Sequence, residues 1–308
     1  MIIDAEVHLV GSGWVRGKYV MAAARAESAK FNLAHKKNVT PEEYLNTYMR
    51  PFIDPHCDKM VEDMDKSGID MAVIWNVDWA YAHTGEPRVT NKEQNKIFAD
   101  VADRHPGRFW PLFAIDPRRP DVMEQFKKAI EEWGMKGLSL YPAAGFYPDN
   151  EICFPLYEKC AEWKLPVVLG SGGGEAHWQH SQPMYIASAA ERYPEVTFVM
   201  AHCGLESWEQ AQLAARLLNN VYVDISMRQW QFHMRRQRFY NWLRDMIDET
   251  GVWKIMWASD WPSQENIVSR ADWLKAFQEP DTEVEFTSEE MDIILGKAAQ
   301  AVFGIPDR

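Results

Sequence analysis

Eight short apolar segments, each followed by a stretch of helical composition, restrict the fold of this chain more than any other feature. The first follows Met1, and the others lie at 69–77, 109–116, 135–142, 165–171, 196–203, 221–226 and 254–260. Each has strand length and strand composition. Alternation of strand and helix dictates parallel strands joined by right-handed crossovers. Eight such units in 308 residues fit a closed (β/α)₈ barrel better than an open doubly wound sheet. An open sheet that binds a dinucleotide needs a glycine-rich turn after its first strand. None is present, and the run GSGGG after the fifth strand lacks the required spacing. No internal repeat, linker or low-complexity tract interrupts the pattern. The expectation is therefore an α/β protein, a single TIM barrel over residues 1–308. The stretch 11–55 after the first strand contains VMAAARAESAKFNLA, a helix-forming composition. An insertion of that length in a compact domain reads as a lid over a site.

A formal net charge of −12 argues against a nucleic-acid footprint or a basic membrane-binding patch. It does not exclude a small anionic substrate, because a local cation dominates the field inside a pocket. The four cysteines, Cys57, Cys153, Cys160 and Cys203, show neither paired metal-ligand spacing nor a disulfide framework. Cys203 follows His202 directly and reads as a packed, reduced thiol. No segment has transmembrane length and no secretory pattern opens the chain, so a cytoplasmic location is expected. The fourteen tryptophans supply core filling, with some left to line an apolar pocket.

In a barrel of this kind the C-terminal strand ends converge on one site. Taken in order they carry Glu6 and His8, then Asn76 and Asp78, Asp116, Tyr141, Gly170-Ser171, His202, Asp224 and Asp260. Glu6 and His8, two residues apart on a strand, project to one side. A buried carboxylate–imidazole pair is a start for a divalent cation. Asp260 precedes Trp261-Pro262, where the strand stops; its carboxylate suits a metal, a proton or a turn cap. His202 sits in an otherwise apolar strand and reads as functional beside an opposed carboxylate and a cation.

Several segments carry a family likeness: MIIDAEVH, GRFWPLFAIDP, GMKGLSLYPAAGFYPDN, FPLYEKCAEWKLPVVLGSGG, YPEVTFVMAHCG, VYVDIS, IMWASDWP and ILGKAAQAVFGI. In that order the chain resembles the amidohydrolase superfamily, in the branch of aminocarboxymuconate semialdehyde decarboxylase and related aromatic-acid decarboxylases. The resemblance implies Glu6 and His8 as a Glu-x-His metal pair and Asp260 as the last-strand aspartate that binds metal or takes a proton. It implies His202 as the sixth-strand catalytic histidine. One departure is plain. The family's metal-binding histidine at the end of the fifth strand is replaced by Gly170. Three readings follow, in order: His177 or His180 folds back as a substitute ligand, with His177 first; His202 enters the metal shell; or the usual metal is lost. His56 and His83 read as surface histidines in loops near the mouth.

The resemblance thus implies a metal-dependent enzyme acting on a small aromatic or unsaturated carboxylic acid by non-oxidative decarboxylation. The expected metal set is Glu6, His8, His177, His202 and Asp260, with His202 or Asp260 as the acid. Zinc is expected first, with manganese or iron as alternatives. Hydrolysis of an ester, lactone or amide is the second reading, and a metal-free barrel with a binding role the third. A homodimer is expected from the likeness and the tryptophan surplus.

Overall fold

A computed structural model of the protein describes residues 1–82, 85–173 and 177–307; His83 lies outside the described residues. The strands are β1 (Ile3–Val7), β2 (Met71–Ile74), β3 (Phe109–Pro111), β4 (Phe113–Ala114), β5 (Leu138–Leu140), β6 (Val167–Gly170), β7 (Phe198–Ala201), β8 (Val221–Asp224) and β9 (Ile255–Met256). Every pairing is between neighbours and parallel. β3 and β4 are the halves of one barrel strand, parted at Leu112. There the backbone partner changes: Leu112 N–H bonds the Ile74 carbonyl and Phe113 N–H bonds the Gly137 carbonyl, each at 2.9 Å.

Closure comes from the two ends of the chain. Val7 bridges Trp261 in parallel. Ala5 N–H donates to the Trp257 carbonyl at 3.1 Å, Asp260 N–H to the Glu6 carbonyl at 3.0 Å, and His8 N–H to the Trp261 carbonyl at 2.8 Å. The eight-unit alternation therefore becomes a closed (β/α)₈ barrel. The last strand is shorter than its sequence suggests, since regular strand ends at Met256 and Trp257–Asp260 continue only by irregular bonds to β1.

Parallel strands are covered on both faces, which is why they read as nearly continuous apolar runs. Inside, Ala5, Val73, Leu112, Val168, Val199 and Met256 pack with Ile293, Ala298 and Phe303 of the C-terminal segment. That segment lies against the start of β1. A side chain at Gly296 would strike the Met1 carbonyl at 2.0 Å, so only glycine allows the approach. The N-terminal end of the barrel is thus filled and the C-terminal end is left for a site. Outside, Ile74, Leu140, Leu169, Met200 and Val223 pack with Phe98, Phe126, Tyr157 and Trp273 of the surrounding helices.

Helix α1 (Gly17–His35) occupies the expected position in the 11–55 stretch. The helix Asn91–Arg104 begins in a capping box between Thr90 and Glu93, as that sequence requires. Among the described residues no helix is long and apolar enough to cross a membrane.

Candidate metal centre

The alternation along β1 does not run unbroken. A register shift between Asp4 and Val7 separates Asp4, which bonds Ser259, from Glu6 and His8. Glu6 is buried, and the His8 Nε2 lies 3.5 Å from its Oε1 and 3.3 Å from the Asp260 Oδ1. The three offer donor atoms all within 4.8 Å of one another. His8 Nδ1 stands 2.8 Å from the Trp75 carbonyl. A carbonyl only accepts, so Nδ1 carries the proton and Nε2 is the nitrogen turned toward the carboxylates.

Such a set requires positive charge. Burial would lower the His8 pKa, but hydrogen bonds and charge from Asp260 and Glu6 raise it well above the ordinary histidine range. Burial likewise would raise the Glu6 carboxyl, yet His202, His8 and Ser226 outweigh it and hold it at about 2. A proton on His8 or a divalent cation among the three donors satisfies the same field. One imidazole and two carboxylates fit a divalent cation.

Glu6 also faces the other way. Its Oε2 accepts from the Ser226 hydroxyl at 2.6 Å and lies 3.4 Å from the His202 Nδ1. His202 Nδ1 is 2.7 Å from the same hydroxyl. His202 thereby falls in a second donor group, with Glu6 and Asp224, and not with His8 and Asp260. Asp224 Oδ1 accepts from the backbone N–H of His202 and of Ser226, both at 3.1 Å, whereas Oδ2 is buried without a hydrogen-bond partner. Burial, with the Glu6 charge nearby, pushes the Asp224 carboxyl well above its usual range.

His177, the expected replacement ligand, joins neither group. Its backbone N–H bonds the Ala143 carbonyl at 2.9 Å, and its ring packs beside Gly145 and 5.5 Å from the His180 ring. His180 packs at a tilt against Tyr147, and His56 is exposed. Gly170 explains why no fifth-strand donor is needed to fill space. A Cβ there would lie 2.9 Å from Tyr141 Cδ2, so the tyrosine ring takes the ground over that strand end. Asp78 and Asp116, two more strand-end carboxylates, are committed to Arg119 and Arg118.

Above the donors lies a cavity of about 460 Å³ lined by His8, His202 and Asp260 together with Tyr141, Trp79 and Tyr19. Those three aromatics form a wall, with Trp79 edge-on to Tyr141 at 5.0 Å and tilted against Tyr19 at 4.2 Å. Tyr19, Ala23, Ala26, Glu27 and Lys30 of α1 also line it. Four non-glycine lining residues, His202, Leu205, Met227 and Asp260, have φ between 45° and 62°. Left-handed backbone of this kind costs roughly 1–3 kcal/mol per residue and concentrates where side chains must be aimed. Cys203 is buried, and burial raises its thiol to about 11 against the pull of Arg228. It is a packed thiol.

Sequence reasoning missed Ser226 as a site residue and left Asp224 without a role. The signal was present: Asp224-x-Ser226 repeats the spacing of Glu6-x-His8 at another strand end.

Solved structures share this fold. An uncharacterised TIM-barrel protein from Bordetella bronchiseptica aligns with a TM-score of 0.71 and 18% identity, covering 98% of each chain. 5-Carboxyvanillate decarboxylase from Sphingomonas paucimobilis aligns with a TM-score of 0.68 and 15% identity over 99% of each chain. Dihydroxybenzoic acid decarboxylase from Polaromonas sp. JS666, with bound manganese and the inhibitor 2-nitroresorcinol, gives 0.70 and 18% over 100% of this chain and 98% of that one. Comparison with curated proteins gives no significant match. The amidohydrolase family profile matches residues 3–305, and the chain belongs to that family.

Proposed function

We propose that this protein is a metal-dependent enzyme that removes carbon dioxide from a small aromatic carboxylic acid without oxidation. The observation that carries the reading is the convergence of Glu6, His8 and Asp260 beneath a cavity with one aromatic wall. Two structurally similar proteins, described as decarboxylases of 5-carboxyvanillate and dihydroxybenzoic acid, support it. Glu6, His8 and Asp260 would hold a divalent cation. Two hard carboxylates with one imidazole suit manganese, the ion bound in the Polaromonas protein, with zinc and iron as competitors. Such a cation supplies fixed positive charge for substrate oxygens.

The protein's own residues do the rest. Tyr141, Trp79 and Tyr19 present ring faces and edges that orient a flat substrate. His202 is assigned the acid role, since its Nδ1 is anchored at Ser226 and its Nε2 is the nitrogen left for substrate. The carboxyl-bearing ring carbon takes that proton. The bond to the carboxyl then breaks, its electron pair returns to the ring, and carbon dioxide leaves. No oxidant enters the balance. We assign residues 11–55 as a lid, because α1 side chains line the cavity, where a closed lid would keep water from the reacting groups. His177, standing outside both donor groups, is not assigned to the metal.

The test is incubation of the manganese-loaded protein with hydroxylated benzoic acids in D2O. Release of carbon dioxide with one deuterium at the vacated ring carbon supports the proposal. Oxygen from labelled water in the product would replace it with hydrolysis. Tight binding of the acids with no turnover under any metal would favour a binding role.

A further inference from the structure

We propose that Asp4 is a positioning residue for Asp260, holding that ligand in its left-handed conformation through Ser259. The inference rests on the reading of Asp260 as a cation ligand. Asp260 has φ 50°, a region that side-chain-bearing residues avoid. Its own N–H is tied to the Glu6 carbonyl and its carbonyl accepts the Ser263 N–H at 2.8 Å, but these bonds leave the two flanking residues to be fixed by others.

Asp4 fixes the first. Its Oδ1 accepts the Ser259 N–H at 2.8 Å and its Oδ2 the Ser259 hydroxyl at 2.6 Å. The same hydroxyl accepts the Trp261 N–H at 3.1 Å, closing a bracket over Asp260 from one side to the other. The Ser259 carbonyl takes Gln229 Nε2 at 2.6 Å, so both ends of that residue are held. Behind Asp4 stands Arg270, wholly buried. Its Nη1 lies 3.9 Å from the Asp4 Oδ2, its Nη2 bonds Asp63, and its guanidinium is 5.7 Å from the Trp261 ring.

A buried ion pair is no more stabilising than apolar packing of the same volume. What the Asp4 carboxylate supplies, and an apolar residue does not, is two acceptor oxygens set on the two donors of one residue. Asp4 is outside the cavity lining and outside both donor groups, so its effect on the cation passes through Asp260. Outer groups that orient a ligand change metal affinity by roughly 10- to 100-fold.

The experiment is a manganese titration of the full chain, following the free-ion signal by electron paramagnetic resonance. Four variants are compared with the parent: Asp4→Asn, Ser259→Ala, Asp260→Ala and Phe126→Leu. Asp4→Asn is expected to raise the manganese Kd about 10- to 100-fold with native circular dichroism, and Ser259→Ala about tenfold. Phe126→Leu, an outer-layer change that lowers Tm without touching the bracket, is expected to keep the parental Kd. If Asp260→Ala binds manganese like the parent, the cation reading fails. If Asp260→Ala loses the ion while Asp4→Asn and Ser259→Ala keep it, the positioning role fails alone. Should Asp4→Asn not fold, Ser259→Ala decides between these outcomes. A shift in Kd for Phe126→Leu equal to theirs would also overturn the role.

Discussion

His8 donates its Nδ1–H to the Trp75 carbonyl across 2.8 Å, joining the end of the first barrel strand to the end of the second. The Trp75 ring stands edge-on to the imidazole at 5.5 Å, so both orientation and tautomer are set before any ligand arrives. Nε2 is left to face Glu6 and Asp260.

Removing that imidazole should empty the site. His8→Ala is expected to weaken manganese binding by more than the roughly 10- to 100-fold typical of outer-sphere changes. Metal content after gel filtration, measured by mass spectrometry, checks this. Stoichiometric metal in the variant would count against the donor set.

Ser226 is the shared partner of Glu6 and His202. Ser226→Ala deprives a buried carboxylate of a donor, which costs about 1–3 kcal/mol of stability. The freed His202 should lower kcat on the order of tenfold while KM changes little. Urea unfolding and steady-state kinetics give the two numbers separately.

The Gly170–Tyr141 contact leaves no room for even a methyl group. Gly170→Ala is expected to destabilise by about 1–3 kcal/mol and to raise KM for an aromatic acid as the ring shifts. In a Tyr141→Ala background the same change should cost far less. A double-mutant cycle with no coupling would show that the ring does not stand over the glycine.

Glu265 gives a pH signature away from the cavity. Burial, only partly offset by the Arg270 backbone N–H and charge, raises its carboxyl from 4.5 to about 7. Well below pH 4.5 folded and unfolded chains both keep the proton, and the group costs nothing. As pH rises toward 7 the unfolded chain ionises first, so this contribution to stability is progressively lost. The loss totals about 3 kcal/mol and is constant at higher pH. Glu265→Gln should lack this slope. Parallel slopes for parent and variant between pH 5 and pH 8, roughly the window of the shift, would contradict it.

The cysteines should be silent in the native state. All four are buried and unpaired, and burial raises Cys153 to about 12 and Cys203 to about 11. Reaction with an aromatic disulfide reagent is expected to follow unfolding and to show no fast native phase. Prompt labelling of one thiol would refute the burial.

What could be read directly from the chain was local and periodic. The recurrence of apolar runs and helical stretches determined the barrel, because strand and helix patterns depend on near neighbours. The spacing of Glu6 and His8 marked one strand end, and the pause at Trp261-Pro262 marked Asp260. Other features arose only on closure, when residues more than two hundred positions apart met. The register shift after Asp4 sends two carboxylates of one strand to different partners, Ser259 for Asp4 and Ser226 for Glu6. Arginines neutralise Asp78 and Asp116 but leave Asp224 to the site. His177 was placed at the metal by sequence order, yet its backbone N–H bonds Ala143 and its ring packs beside Gly145. Spacing reveals which side chains share a strand. Which strand ends then touch, and which charges are already paired, depends on how the cylinder closes.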